Sequence, residues 1–219
     1  MNLFDIIGPI MVGPSSSHTS GVVRIANVVY SILGQAPKKA IIKFHGSFAK
    51  TYLGHGSHKA VIAGLMGFKT DDSKIKNSLE LAKEIHMEYK IEKINLQNAH
   101  PNTIIIEAQN NENEKVSILA ESIGGGNILV KKIDNYDDNL DCSRDVLFIN
   151  LKDSIGMISD ITKILSIENF NIANMKVYRE KKGGNGIILI ETDEKLKNNV
   201  ITAIKHLSDI INVKIIPSI

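Results

Sequence analysis

Val146-Leu147-Phe148-Ile149-Asn150-Leu151, then Asp153-Ser154-Ile155-Gly156, then Met157 to Ile167 read in turn as an apolar strand, a short glycine-bearing connection and an amphipathic helix. The same pattern repeats in a second half. A strand from Ile172 to Arg179, a turn at Gly183-Gly184-Asn185 and a strand from Ile187 to Glu191 precede a helix from Lys195 to Leu207, whose apolar positions are Leu196, Val200, Ile201, Ile204 and Leu207. Val213 to Ile216 closes the set as a fourth strand. The order βαββαβ is the ferredoxin-like arrangement, and that order alone names no function.

Immediately before this stretch lies the polar run Asp134 to Arg144, containing Asn135, Asp137, Asp138, Asn139 and Asp141. Its composition is that of a connection between domains, so the expected division is a domain over 1–134, a linker over 135–144 and a domain over 145–219. The N-terminal part mixes helix and strand signals, which makes the whole chain α+β. Gly13-Pro14-Ser15-Ser16-Ser17-His18-Thr19-Ser20-Gly21 leads into a mostly buried helix over Val22 to Leu33 that ends near Gly34. A strand is expected at Ala40 to Phe44, a loop rich in Gly and His after it, a helix at Lys59 to Met66 and a third helix at Lys74 to Tyr89. Strands follow at Lys93 to Leu96, Thr103 to Ala108, Val116 to Glu121 and Ile128 to Lys132, with a tight turn at Gly124-Gly125-Gly126.

A length of 219 residues suits two domains, and 43% hydrophobic with 23% charged residues suits globular ones. Lys and Arg number 26 against 24 Asp and Glu, a net charge of +2 that gives no case for a nucleic acid partner. No run approaches the ~20 apolar residues of a membrane span, and Met1-Asn2-Leu3-Phe4-Asp5 lacks the basic start of a secretory signal, so the expected location is cytoplasmic. The single cysteine, Cys142, excludes an internal disulfide. One thiolate also cannot hold an iron-sulfur cluster, which takes about three or four. A zinc site held by this chain alone and a dinucleotide site both lack their spacing, so no metal ligands are assigned.

Ser15, Ser16, Ser17, His18 and Thr19 stand at a helix start, where free N–H groups and the positive end of the helix dipole suit a carboxylate. Taken alone the same residues also read as an N-cap with a surface histidine. His18 and His55 are the candidates for proton transfer, since imidazole titrates near neutrality. His55, between Gly54 and Gly56, also reads as an ordinary loop histidine. His100 precedes Pro101 and is therefore biased to extended backbone; with Asn102 it could orient a ligand, or Asn102 could simply satisfy a turn.

The C-terminal segment resembles ACT domains in Asp153-Ser154-Ile155-Gly156 and Asn171-Ile172-Ala173-Asn174-Met175, with Ile155 where many ACT domains carry proline. The N-terminal segment, with Phe4-Asp5-Ile6-Ile7-Gly8-Pro9 and Gly13-Pro14-Ser15-Ser16-Ser17-His18-Thr19, resembles the iron-sulfur-dependent L-serine dehydratases. Gly46-Ser47-Phe48-Ala49 with Gly54-His55-Gly56, His100-Pro101-Asn102-Thr103 and Ser122-Ile123-Gly124-Gly125-Gly126 match further motifs of that family. Ser57-His58 departs from the Thr-Asp that often follows its Gly-His-Gly.

The resemblance implies an ASB-like substrate-binding domain followed by an ACT domain, as in the beta subunit of the two-subunit type. It implies a [4Fe–4S] cluster held by a partner alpha subunit, with the cluster iron acting as Lewis acid on the hydroxyl of L-serine while a base takes the Cα proton. On that reading His18 and His55 are catalytic, in no fixed rank. Ser15, Ser16, Ser17, Thr19, His100 and Asn102 bind substrate, and Asp153, Gly156 and Asn171 bind an effector. The ACT domain is expected to self-associate through a sheet edge. The competing reading is a non-catalytic amino-acid sensor resembling the C-terminal domains of phosphoglycerate dehydrogenase.

Overall fold

A computed structural model describes residues 9–218. The chain divides at Asp141/Cys142 into two compact units. The motif stretch Phe4 to Gly8 lies outside the described residues.

In the first unit a π-helical turn, Ser16–Ser20, runs directly into helix α1, Gly21–Leu33. Val22, Val23, Ile25, Ala26, Val28 and Val29 are fully buried, and each such Val or Ile contributes about 1.5–3 kcal/mol of apolar transfer free energy. The helix stops at Gly34, whose N–H donates to the Tyr30 carbonyl. Its partner is helix α3, Ser57–Leu65. The two helices meet at Gly64, where a Cβ would stand 2.4 Å from the Val23 carbonyl oxygen, and Asn27 Nδ2 donates to the Gly64 carbonyl at 3.0 Å. Only glycine allows that approach.

The helices cover one face of a six-stranded sheet built from β1 (Lys39–His45), β2 (Glu88–Ile94), β3 (Thr103–Gln109), β4 (Lys115–Gly124), β5 (Asn127–Ile133) and β6 (Tyr136–Leu140). Its order is β2-β1-β3-β4-β5-β6, with only β1 and β2 parallel. Ala40, Ile42 and Phe44 of β1 and Ile104 and Ile106 of β3 are buried in alternation with more exposed neighbours, the period of a strand with one covered face.

Three expectations for the first unit are corrected. The helix expected over Lys74 to Tyr89 is a 3₁₀ turn, Ser73–Asn77, and a seven-residue helix α4, Ser78–Glu84. The chain then enters β2 at Glu88, because Lys39↔Glu88 through His45↔Ile94 pair along β1, and this pairing overrides the helical preference of the segment. Within the Gly- and His-rich loop, Gly46–Thr51 forms helix α2. The polar run read as a linker contains β6, paired to β5 with Leu140 buried beneath it; an edge strand facing water on one side carries the composition of a linker.

The second unit comprises β7 (Val146–Lys152), α5 (Met157–Ile167), β8 (Ile172–Arg179), β9 (Asn185–Thr192), α6 (Asn198–Lys205) and β10 (Ile210–Ile216), a βαββαβ unit with sheet order β10-β7-β9-β8. Met157, Ile161 and Leu165, spaced at i, i+4 and i+8, pack with Val200 and Ile204 over Leu147, Ile149, Ile188 and Ile190. Helix α6 is shorter than the expected Lys195 to Leu207 because the Leu196 N–H donates to the Asp145 carboxylate at 2.9 Å instead of entering a helical ladder. Among the described residues no helix is long and apolar enough to cross a membrane.

Candidate functional site

Ser15 is extended and its Oγ accepts the His18 N–H at 3.1 Å, so this hydroxyl caps the π-helical turn. The turn is clamped to the Gly54-His55-Gly56 segment from both sides. Thr19 Oγ1 donates to the His55 carbonyl at 3.0 Å, across 36 positions of sequence, and Ser57 Oγ donates to the His18 carbonyl at 2.7 Å. Thr19 and Ser57 are buried. Thr19 is thus engaged in joining two segments. Ser16 and Ser17 are half-buried, and among the described residues neither hydroxyl is engaged.

The clamp brings the two histidines together, with ring centroids 4.7 Å apart and planes inclined by 35°. His18 Nε2 shares a hydrogen bond with Ser47 Oγ at 3.1 Å, and its ring meets the Phe48 ring edge-on at 5.0 Å. Burial, and secondarily the neighbouring His55, hold the His18 imidazole below its ordinary value of 6.5. It is therefore neutral near pH 7, the form that can accept a proton. His55 Nδ1 is buried and finds no hydrogen-bond partner among the described residues.

Ser47 is placed by the remaining motifs. Gly46 adopts φ +56°, and a Cβ there would stand 2.5 Å from the Pro101 carbonyl oxygen, to which the Ser47 N–H donates at 2.7 Å. His100 Nδ1 accepts the Asn102 N–H at 3.2 Å, closing the turn that precedes β3. The Asn102 carbonyl accepts the Ser122 N–H at 3.0 Å, and Ser122 Oγ lies 2.3 Å from where a Cβ on Gly21 would stand. The turn after Ser122 has positive φ at Gly124, Gly125 and Gly126 (105°, 60° and 84°), which explains three consecutive glycines. Arg24 Nη1 donates to the Gly126 carbonyl at 2.8 Å and so returns to the starting helix. The quoted dehydratase motifs within the described residues thus close into one ring of contacts.

The sequence reading assigned roles to Ser15, Ser16, Ser17, His18, Thr19, His55, His100 and Asn102 and none to Ser20, Arg24, Ser47, Ser57 and Ser122, which the fold brings into the same ring of contacts. Arg24 carried a usable signal, as the one charge in the helix from Val22 to Leu33. His58 takes a supporting place: its Nδ1–H donates to the Tyr52 carbonyl at 3.1 Å.

The three positions considered for an effector are not assembled within one copy of the second unit. Asp153 Oδ2 accepts Arg179 Nη1 at 2.9 Å and the Gly183 N–H at 3.0 Å, and these bonds, the backbone one foremost, hold its carboxyl below the usual range. Gly156 caps the start of α5, whereas Asn171 follows its end and bonds Asp193 at 2.6 Å. Eleven helical residues span about 16 Å, which separates them.

The family profile described as serine dehydratase beta chain matches residues 2–133. The chain belongs to that family. A second profile, the acetohydroxyacid synthase (AHAS) small subunit-like ACT domain, matches residues 147–213. Among relatives of this beta-chain family member, "Probable L-serine dehydratase, beta chain" of Bacillus subtilis (strain 168) is 35% identical over 97% of this chain and 96% of its own length. The L-serine dehydratase beta chain of Peptoniphilus asaccharolyticus is 34% identical over 92% and 91%. The D-3-phosphoglycerate dehydrogenase of Bacillus subtilis (strain 168) is 23% identical over 88% of this chain but only 37% of that enzyme.

The donors of this beta chain do not fit an iron-sulfur cluster. Cys142 is its one cysteine and is 1% exposed. Among the described residues no group of three or more His, Cys, Asp or Glu side chains gathers as metal ligands.

Proposed function

We propose that the chain is the beta subunit of an L-serine dehydratase, which converts L-serine to pyruvate and ammonia together with an alpha subunit that holds a [4Fe–4S] cluster, in the cytoplasm. The observation that carries the reading is the His18 ring seated against the His55 ring where the motifs converge. The imidazole of one takes the Cα proton of L-serine, the β-hydroxyl departs as water, and the enamine tautomerises to an imine that hydrolyses to pyruvate and ammonia. Ser16, Ser17, His100 and Asn102 hold the substrate, while Ser15 and Thr19 hold the segment that carries His18. Support for the alpha subunit comes from the beta-chain names of the relatives and from the single thiol of this chain.

The test is co-expression with a cysteine-rich alpha subunit and measurement of pyruvate formed from L-serine under anoxic conditions. Formation by the pair and by neither chain alone is expected; no formation by the pair overturns the reading. The likeness to D-3-phosphoglycerate dehydrogenase favours a second reading, an amino-acid-sensing module, for which L-serine binds without turnover. The ACT domain is proposed to self-associate, and effector binding by Asp153, Gly156 and Asn171 is proposed only across two copies.

A further inference from the structure

Ser20 and Ser122 are fully buried, yet Ser20 Oγ, Ser122 Oγ and the nearby Asn102 Oδ1 find no hydrogen-bond partner among the described residues. Native proteins pair nearly all such atoms, so a concentration of vacancies calls for a polar occupant, a ligand or bound water. The residues that carry them adjoin one another. Asn102 and Ser122 bond through their backbones at 3.0 Å, Ser122 Oγ lies against Gly21, and Ser20 Oγ lies 3.2 Å from the Cβ position of Gly126.

Arg24 stands one helical turn beyond Ser20 on the same face. Its guanidinium is half-buried, its single bond goes to the Gly126 carbonyl, and among the described residues no carboxylate pairs with it. A desolvated cation without an anion is costly unless a ligand supplies one, and guanidinium geometry matches a carboxylate. The vacancies suit a zwitterion: the hydroxyls, donors as well as acceptors, can donate to a carboxylate, and the amide oxygen accepts from an ammonium.

We propose that Arg24, Ser20 and Ser122 form the carboxylate pocket, and Asn102 Oδ1 the ammonium acceptor, for a small zwitterionic α-amino acid. Ser20 shares the π-helical turn with His18, and on the reading that the chain is a dehydratase subunit these residues are the determinants of specificity for a free amino acid.

L-Alanine and L-alaninamide test it, because both carry the ammonium, only the first carries the carboxylate, and neither has a hydroxyl to lose. Their dissociation constants are measured by calorimetry on the assembled complex of the full chain with its alpha subunit. L-Alanine is expected to bind at least about 10-fold tighter than its amide, with Arg24→Gln abolishing and Arg24→Lys partly keeping that preference. Ser20→Ala and Ser122→Ala should each weaken L-alanine binding by about 5- to 10-fold and the amide less. The proposal is overturned if the wild type shows no preference for the acid, or if Arg24→Gln retains it. Should Arg24→Gln fail to assemble, unchanged L-alanine binding by both serine variants overturns it equally. Acid-selective binding without pyruvate formation from L-serine sinks the dehydratase reading and leaves this pocket standing.

Discussion

The segments singled out in the two units differ in how their polar groups are spent. In the first, among the described residues, Ser20, His55, Asn102 and Ser122 keep buried atoms without partners, and Arg24 keeps a cation without an anion. In the second, Asp153 is taken up by Arg179 and Gly183, and Asn171 by Asp193 and Glu194. Burying a polar group without a partner costs free energy, so a vacancy persists where a ligand fills it during function, while a saturated group contributes to the fold. On the proposed function, the difference matches chemistry in the first unit and structure or assembly in the second.

The sharpest way to break this contrast is to exchange the histidines. His18→Ala or His55→Ala in the assembled enzyme is expected to lower kcat by about 10²-fold or more for whichever is the base, and mainly to raise KM for one that only binds. Anoxic steady-state kinetics read both, and full activity in both variants would return the ring of motifs to a structural role. Gly64→Ala comes next: its Cβ would stand 2.4 Å from a backbone oxygen of α1 that has no room to move, and chemical denaturation should show a loss of about 1–3 kcal/mol.

A smaller effect concerns pH. The folded His18 binds its proton less tightly than an unfolded histidine at 6.5, so the unfolded state binds more protons on the acid side. The stability associated with the neutral ring is therefore complete above 6.5 and lost as pH falls below it. Melting temperatures should decline over that window, and His18→Gln should flatten the decline. The smallest effect is expected from Asp153→Asn, a half-buried position of the second unit, which should leave kcat and KM measured without any effector unchanged. Deleting residues 145–219 instead tests assembly, and light scattering should show a smaller complex.

Much of the second unit was legible because each of its elements announces one buried face within a few residues. Met157 to Ile167 and Ile172 to Arg179 occur as expected from spacing alone. Helix α1 and its stop at Gly34 were equally local. Residues 88–94 were not legible, since their strand exists only through pairing with β1, and residues 136–140 look like a linker until β5 lies beside them. For the candidate site, the identities of His18, His55, His100 and Asn102 could be read from their motifs. That His18 touches a serine 29 positions away, and that Arg24 reaches a carbonyl 102 positions away, could not. Periodicity records which face of an element is buried, and it is written in neighbouring residues. Which atoms find partners and which are left vacant depends on segments distant in sequence, so only the folded chain could decide where the unpaired groups converge.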